Sequence, residues 1–330
     1  MSTFAAVVLF IGVVAYAVLG GADYGAGFWD LTAGGAERGR GPRHLVDLSL
    51  APVWEANHVW LIFCLVMLWT GFPVAFAAIM TTLYVPLGLA ALGIVVRGSG
   101  FAFRKVFVRT DQQRVVGAAF AASSVLTPFF LGTVAGGIAS GRVPTGGNGD
   151  PMASWLNPTS LLGGALAVLA CAFTAAVFLT AEARRRGEAD LETYFRRRAQ
   201  LTAVVTGAVA LGGIALLSAD APRLFDNLLG RALPLVIVSG LCGLGSLLLI
   251  RRLDPRLVQG AAATAVAAIV AGWGVAQYPY LLGTHLSISE GAAPTPTLTA
   301  LAVVAAAALV LVVPSMALLF VLAQRGRLES

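Results

Sequence analysis

The side chains most capable of chemistry stand at the start of one apolar segment. Residues 52–60 read Pro-Val-Trp-Glu-Ala-Asn-His-Val-Trp, and an uncharged apolar run follows them. An ionisable side chain within a membrane span is costly and usually marks a path for ions, protons or substrate. We therefore predict that Glu55 handles protons, with Trp54, Asn57 and His58 beside it on the same path.

A second acid, Asp23, lies in residues 20–28, Gly-Gly-Ala-Asp-Tyr-Gly-Ala-Gly-Phe, at the predicted end of the first helix. Glycines here would let neighbouring backbones approach and would let the helix end loosen near the carboxylate. The topology derived below places Asp23 and Glu55 at the same depth, so the two acids could form a proton entry. The alternative is structural: a buried acid could cap a helix or pair with an arginine such as Arg97.

The Glu55-x-x-His58 spacing places both side chains on one helix face, as in half of a di-iron site. Such a site needs a second Glu-x-x-His and two further glutamates, which the apolar segments lack. Spacing alone leaves axial haem ligation by His58 open, but His44 and His285 fall in loops on opposite sides. We predict no metal or haem site in this chain and a hydrogen-bonding or proton-relay role for His58.

The third apolar segment closes with Arg-Gly-Ser-Gly-Phe-Ala-Phe-Arg at residues 97–104. Arg97 and Arg104 could contact a lipid or quinone headgroup. Arg97 could instead neutralise Asp23 or Glu55, or extend to the interface as long basic side chains do. The sequence contains no Walker loop, dinucleotide fingerprint, paired-cysteine metal motif or nucleophile elbow, so we predict no catalytic residue here.

The elements that must position these residues are membrane helices. The chain of 330 residues is 58% hydrophobic and 12% charged, with a mean hydropathy of +0.84. Soluble domains carry about 25% charged residues, so this composition indicates a polytopic membrane protein. Runs of about 20 apolar residues predict nine helices. They cover residues 3–22, 53–72, 75–96, 115–138, 159–181, 199–218, 232–250, 261–282 and 297–321.

The basic residues predict the orientation of these helices. Of the 22 basic residues, all but Arg142, Arg223 and Arg231 fall on one side of a nine-helix arrangement. Positive charge stays cytoplasmic, so the amino terminus is predicted outside and the carboxyl terminus inside. The net charge of +6 is explained by this bias and by anionic lipid headgroups, so we predict no nucleic-acid binding.

We predict a single membrane domain over residues 1–330. Residues 1–138 form a first four-helix group that holds the polar motifs, and residues 139–330 form a second group plus an extra helix. The outer loops near 139–158 and 283–296 contain Gly and Pro and carry little charge, as turns do.

Several motifs together resemble subunit II of cytochrome bd-type quinol oxidases. They are Gly-Ala-Asp-Tyr-Gly-Ala-Gly at 21–27, residues 52–61, Gly-Phe-Pro at 71–73, Arg-Gly at 97–98 and Phe-Ala-Phe-Arg at 101–104. The resemblance covers essentially the whole chain, and its specific part is the first hundred residues. Gly20 and Ala102 depart from it, since each stands where some members carry an acid.

The resemblance implies an all-α subunit of two four-helix bundles plus a peripheral helix in the bacterial plasma membrane. Its partner, subunit I, would hold three haems, two b-type and one d-type or variant, and would oxidise quinol and reduce oxygen in aerobic respiration. This chain would bind no haem, stabilise subunit I among membrane lipids and supply part of a cytoplasmic proton path. That role maps onto Glu55 and Asp23, and a structural quinone near Arg97 is left open.

A proton-coupled secondary transporter is the alternative from another class. It would carry broken helices and polar residues near the membrane midplane in both halves. Here the intramembrane acids cluster at one end of the first half, which favours the oxidase subunit. A purely structural scaffold is the third reading, but it leaves the cost of burying Asp23 and Glu55 without a reason.

Overall fold

The computed structural model describes the backbone of residues 1–35, 37–50, 54–104, 110–252 and 254–324. Side chains at 50, 54–56, 101–104, 110–115, 320, 323 and 324 lie outside the described part. Within these described ranges the regular structure is helical apart from one short hairpin, which confirms the predicted all-α class.

Eight helices occupy the first two thirds of the chain. They are α1 (Ser2–Leu31), α2 (Arg40–Leu50), α3 (Trp54–Gly71), α4 (Pro73–Thr82), α5 (Tyr84–Arg104), α6 (Thr110–Ala139), α7 (Pro158–Arg185) and α8 (Ala189–Asp220). The remainder is α9 (Pro222–Leu229), α10 (Leu233–Leu249), α11 (Pro255–Gln277), β1 (Tyr280–Leu282), β2 (Leu286–Ser287), α12 (Ile288–Gly291) and α13 (Thr295–Gln324).

Every predicted apolar segment coincides with at least one helix. In the described part of the chain, six helices are long and apolar enough to cross a membrane, or up to eight if each of two bent pairs forms one span. The predicted number of nine, the two-bundle arrangement and the N-out orientation stay predictions.

The predicted third span is divided. Its range, 75–96, is interrupted between α4 and α5 at Leu83, and α4 is turned by 117° from α3 across Phe72. Pro73 opens α4, where its missing N–H and fixed φ favour a helix start. Phe72 is fully buried, so the bend is anchored by packing.

The connection between α11 and α13 contains structure that the apolar pattern did not indicate. The predicted span over 261–282 ends at Gln277, and the chain then forms the antiparallel β1–β2 hairpin. Ser287 and Glu290 form a capping box at α12. The Ala293 amide donates to the Gly71 carbonyl, so this outer segment contacts the bend after α3.

Helix α1 joins the two main apolar clusters of the described structure. Its first half packs with α3, α4 and α13, and its second half packs with α6, α7 and α8. The residues that the sequence singled out lie where α1, α3, α5 and α6 meet, at the end of these helices that carries the arginine-rich loops.

Candidate functional site: a buried polar cluster

Glycines in α1 bring its backbone against the neighbouring helices. A Cβ at Gly25 would overlap the Cys171 carbonyl on α7 and lie 2.8 Å from the Ala175 methyl. A Cβ at Gly27 would overlap Ser124 and lie 2.9 Å from Arg97 Nη1. The predicted close approach of backbones is therefore observed, and only glycine fits at these two positions.

The predicted loosening of the helix end near Asp23 is wrong. Helix α1 continues through the glycines to Leu31, more than two turns beyond Asp23. Glycine lowers helix propensity by about 1 kcal/mol per residue, but close packing against α7 holds the backbone in the helix. Asp23 thus lies within α1 and not at its end.

Asp23 and Arg97 form a buried ion pair between α1 and α5. Arg97 Nη2 lies 2.7 Å from Asp23 Oδ1 and also donates to the Asp23 carbonyl at 3.0 Å. Each side chain is only 1% exposed. Of the structural roles considered for Asp23, helix capping or pairing with an arginine, the structure shows the pairing with Arg97.

The rest of the guanidinium is enclosed by α1 and α6. Arg97 Nη1 donates to the Ser124 hydroxyl, which itself donates to the Phe120 carbonyl. The charged carbon lies 4.9 Å from the centre of the Tyr24 ring and 4.6 Å from that of Phe120, within cation–π range. Arg97 is therefore enclosed by protein in the described structure, and the lipid or quinone contact stays a prediction.

A row of hydroxyls and an imidazole continues from this pair. The Tyr24 hydroxyl lies 3.4 Å from His58 Nε2 and 3.1 Å from the Tyr16 hydroxyl. The three rings contact one another edge to face, with centroids 6.2–6.5 Å apart. Tyr24 is 2% exposed, whereas Tyr16 and His58 are half-buried.

Asn57 fixes the start of α3 against α1. Its Nδ2 donates to the Leu19 carbonyl at 3.2 Å. Its Oδ1 is buried and accepts no hydrogen bond from the described residues, and the same holds for Asp23 Oδ2. Buried oxygens without a protein donor are the places where an internal water or a transferable proton is stabilised.

The structure thus brings together Asp23, Asn57, His58 and Arg97. The side chains of Glu55, Trp54 and Arg104 lie outside the described residues, although the α3 backbone begins at Trp54. No group of three or more His, Cys, Asp or Glu suited to a metal ion occurs in the part of the chain that the structure describes.

Sequence reasoning missed Tyr16, Tyr24 and Ser124. Tyr16 and Tyr24 are eight residues apart in α1, with Gly20 midway, a spacing that puts all three on one helix face. That spacing was the available signal, but aromatic residues in an apolar helix are more often packing groups. Ser124 gave no signal, because its role depends on how α6 lies against α5.

Such an arrangement can exchange protons. The His58 imidazole and the Tyr24 and Tyr16 phenols can each donate and accept a hydrogen bond, and the Arg97 charge stabilises the Asp23 carboxylate beside them.

The family described as cytochrome bd terminal oxidase subunit II matches residues 1–323 of the chain.

Individual relatives agree with that match. The chain is 27% identical over 248 residues to the cytochrome bd ubiquinol oxidase subunit 2 of Bacillus subtilis, covering 74% of this chain and 70% of that protein. It is 29% identical over 218 residues to the cytochrome bd-I ubiquinol oxidase subunit 2 of Escherichia coli, covering 62% and 55% respectively. A chain of the bd oxidase structure from Geobacillus thermodenitrificans superposes with a TM-score of 0.79 at 25% identity, covering 97% of both chains.

Proposed function

The chain belongs to the family of cytochrome bd terminal oxidase subunit II, and from this premise we propose that it is the non-haem-ligating subunit of a membrane quinol:oxygen oxidoreductase. In this role it pairs with subunit I, which carries the haems and oxidises quinol. It stabilises that subunit and supplies part of a proton path from the cytoplasm.

The observation that carries the proton path is the buried cluster around Asp23. Two oxygens in it, Asp23 Oδ2 and Asn57 Oδ1, are buried without a donor among the described residues. Tyr24 follows Asp23 in α1, packs against Arg97 and contacts His58 and Tyr16 through its hydroxyl. Glu55 stands three residues before His58 on α3, a spacing that puts the two positions on one helix face.

The roles within this path differ. Glu55 takes up protons at the cytoplasmic entrance. His58 and Tyr24 pass the protons on, because each side chain can accept a proton on one side and donate one on the other. Asn57 and Trp54 position the start of α3. Asp23 completes the path, and Arg97 holds its carboxylate in place.

The test is Glu55→Gln in the assembled two-subunit complex. It removes the exchangeable proton but keeps side-chain size, so the haem spectrum should be unchanged while quinol-dependent oxygen uptake falls on the order of 10–100-fold. Glu55→Asp should retain much more activity. Glu37→Gln is the matched control, because Glu37 is an exposed acid in the loop after α1. Unchanged turnover and pH profile in Glu55→Gln would show that protons travel elsewhere.

Haem binding is tested separately. We expect the chain folded without its partner to hold no haem, because His58 Nε2 lies 3.4 Å from the Tyr24 hydroxyl and the other two histidines, His44 in α2 and His285 in the β1–β2 turn, are exposed. Stoichiometric haem that disappears in His58→Ala would contradict this.

Deleting the chain should abolish quinol oxidase activity and destabilise subunit I. Full activity of subunit I alone would refute an obligate role.

The transporter alternative has one feature in its favour, since the described structure breaks a helix in each half, between α3 and α4 and between α9 and α10. The first break, at Phe72, has no ionisable side chain. The second contains Arg231, which is exposed and donates to the Tyr278 carbonyl. Among the described residues, neither break forms an enclosed ion or substrate site, and family membership favours the oxidase subunit.

A further inference from the structure

A cleft of about 200 Å³ lies at the opposite end of the helices from the buried cluster. It forms where α6, α8 and α11 end and where the β1–β2 turn closes over them. Its polar lining comes from Ser140, Asp220, Arg223, Gln277, Thr284 and His285. This cleft has no part in the function proposed above.

Basic residues on this side of the chain are few and gather at this place. Arg142, Arg223 and Arg231 are the only ones that the sequence assigns to the side opposite the arginine-rich loops. Arg142 pairs with Asp220, which lines the cleft, and Arg223 lines it directly. Arg231 binds the Tyr278 carbonyl next to Gln277. Positive charge is disfavoured on this side of a membrane protein, so an arginine that lines a cleft here calls for a reason.

The two charged residues that line the cleft, Asp220 and Arg223, differ in how many hydrogen bonds they make. Asp220 accepts two hydrogen bonds from Arg142, at 2.7 and 3.1 Å, and two from Thr159, at 2.6 and 3.1 Å. Its negative charge is therefore already matched. Arg223 makes one weak hydrogen bond, from Nη1 to the Gly283 carbonyl at 3.3 Å, among the described residues.

The Arg223 side chain is nevertheless held in place. Its charged carbon lies 4.1 Å from the centre of the Tyr280 ring, a stacking contact that leaves the edge of the guanidinium available. Gln277 shares the Gly283 carbonyl, which lies at the turn of the hairpin. An arginine that is oriented by stacking and keeps N–H donors unused is suited to bind an anion through two parallel hydrogen bonds.

We propose that this cleft binds a phosphate group, with Arg223 as its main ligand and Thr284 and His285 at its open side. Phosphate accepts several hydrogen bonds and matches the guanidinium fork. A volume of about 200 Å³ suits a phosphate with a short organic substituent. The group could belong to a phospholipid of the outer leaflet or to a soluble phosphate, because both offer the same chemistry.

The test measures binding of inorganic phosphate to the purified complex by equilibrium dialysis. Arg223→Gln should weaken binding about tenfold, since one charge-assisted pair is lost. Thr284→Glu, at an exposed position of the turn, should weaken it similarly by adding a negative charge. Arg231→Gln is the matched control and should change binding by less than about twofold, because Arg231 does not line the cleft.

Native mass spectrometry of the same complexes in phosphatidylglycerol vesicles identifies the source. One phospholipid that is retained by the wild type and lost in Arg223→Gln assigns the cleft to lipid. Phosphate binding that depends on Arg223 without such a lipid assigns it to a soluble phosphate. No Arg223-dependent binding of either kind, or an equal loss in Arg231→Gln, overturns the proposal.

Discussion

Two ion pairs at opposite ends of the molecule have the same closest distance and very different surroundings. Asp23–Arg97 and Asp220–Arg142 each have an N–O distance of 2.7 Å. The side chains of the first pair are both 1% exposed, whereas Arg142 is 34% and Asp220 15% exposed. Burial, and not distance, therefore decides what each pair contributes.

The two pairs differ in what can replace the arginine when it is removed. If Arg142 is lost, water and Thr159 still serve the Asp220 carboxylate. If Arg97 is lost, Asp23 is left in an apolar interior beside Tyr24 and Phe120, where an uncompensated charge costs several kcal/mol. The buried Asp23–Arg97 pair is therefore needed for the stability of the fold, whereas the partly exposed Asp220–Arg142 pair contributes little to it.

The largest effect is expected for Arg97→Met. It leaves the Asp23 charge buried without its cation and should destabilise the chain by about 3–5 kcal/mol. The yield and melting temperature of the assembled complex measure this. Adding Asp23→Asn to Arg97→Met should restore much of the loss, because no unpaired charge is left. A complex with Arg97→Met that melts like the wild type would break the comparison.

Close backbone contact gives a second test of the two ends. Gly25→Ala forces α1 away from α7 and should cost about 1–3 kcal/mol. Gly283→Ala, on the outer hairpin turn, places a Cβ 2.5 Å from Gly141 Cα at a φ of +50° and should cost less, about 1 kcal/mol. The melting temperatures of both variants show which substitution destabilises the protein more.

The control for this pair is Gly88→Ala, because nothing lies within 4 Å of a Cβ at that position in α5. It should be neutral or slightly stabilising, by up to about 1 kcal/mol. If Gly283→Ala proves more damaging than Gly25→Ala, the outer end is the more tightly packed one.

A smaller effect is expected at the outer ion pair. Asp220→Asn should cost about 1 kcal/mol or less, because the pair is partly exposed and Thr159 still binds the amide. It should leave the haem spectrum and assembly of the complex unchanged. A loss as large as that of Arg97→Met would show that water does not reach this pair.

The smallest effect is expected at the surface of α7. Glu182 contacts Arg185 and Arg186 one turn away, and Glu182→Gln should cost no more than about 0.5 kcal/mol. Salt at about 0.5 M should abolish the difference from the wild type, since screening acts on exposed charges. A loss of stability in Glu182→Gln that does not depend on salt would show that the Glu182 contacts are shielded from solvent, as the Asp23–Arg97 pair is.

Much of the helical architecture was predictable from composition, because long uncharged runs have few other solutions in a membrane. The meeting of the motifs around Asp23 and Asn57 was also indicated, since glycines mark close backbones and intramembrane polar groups seek one another. The pairing of Asp23 with Arg97 was one of the alternatives that the sequence left open.

The rest depended on geometry that a linear pattern does not contain. The predicted spans 53–72 and 75–96 do meet at the bend after Phe72, but an uncharged run on both sides of it did not indicate that α4 turns by 117° or that the second span is interrupted at Leu83. Tyr24 looks like any core aromatic until His58 is placed beside it. The α11 end at Gln277 was missed because the apolar run continues through Tyr280 to Leu282, which lie in the hairpin.

The Asp23–Arg97 pair also has a consequence for how the chain is made. The two residues are separated by 74 positions, so at 5–20 residues per second Arg97 is synthesised roughly 4–15 s after Asp23. During that interval α1 has an acid with no partner, and placing it in hydrocarbon costs about 3 kcal/mol. The second half of α1 is therefore expected to wait at the water boundary during biosynthesis and to enter the bilayer together with α5.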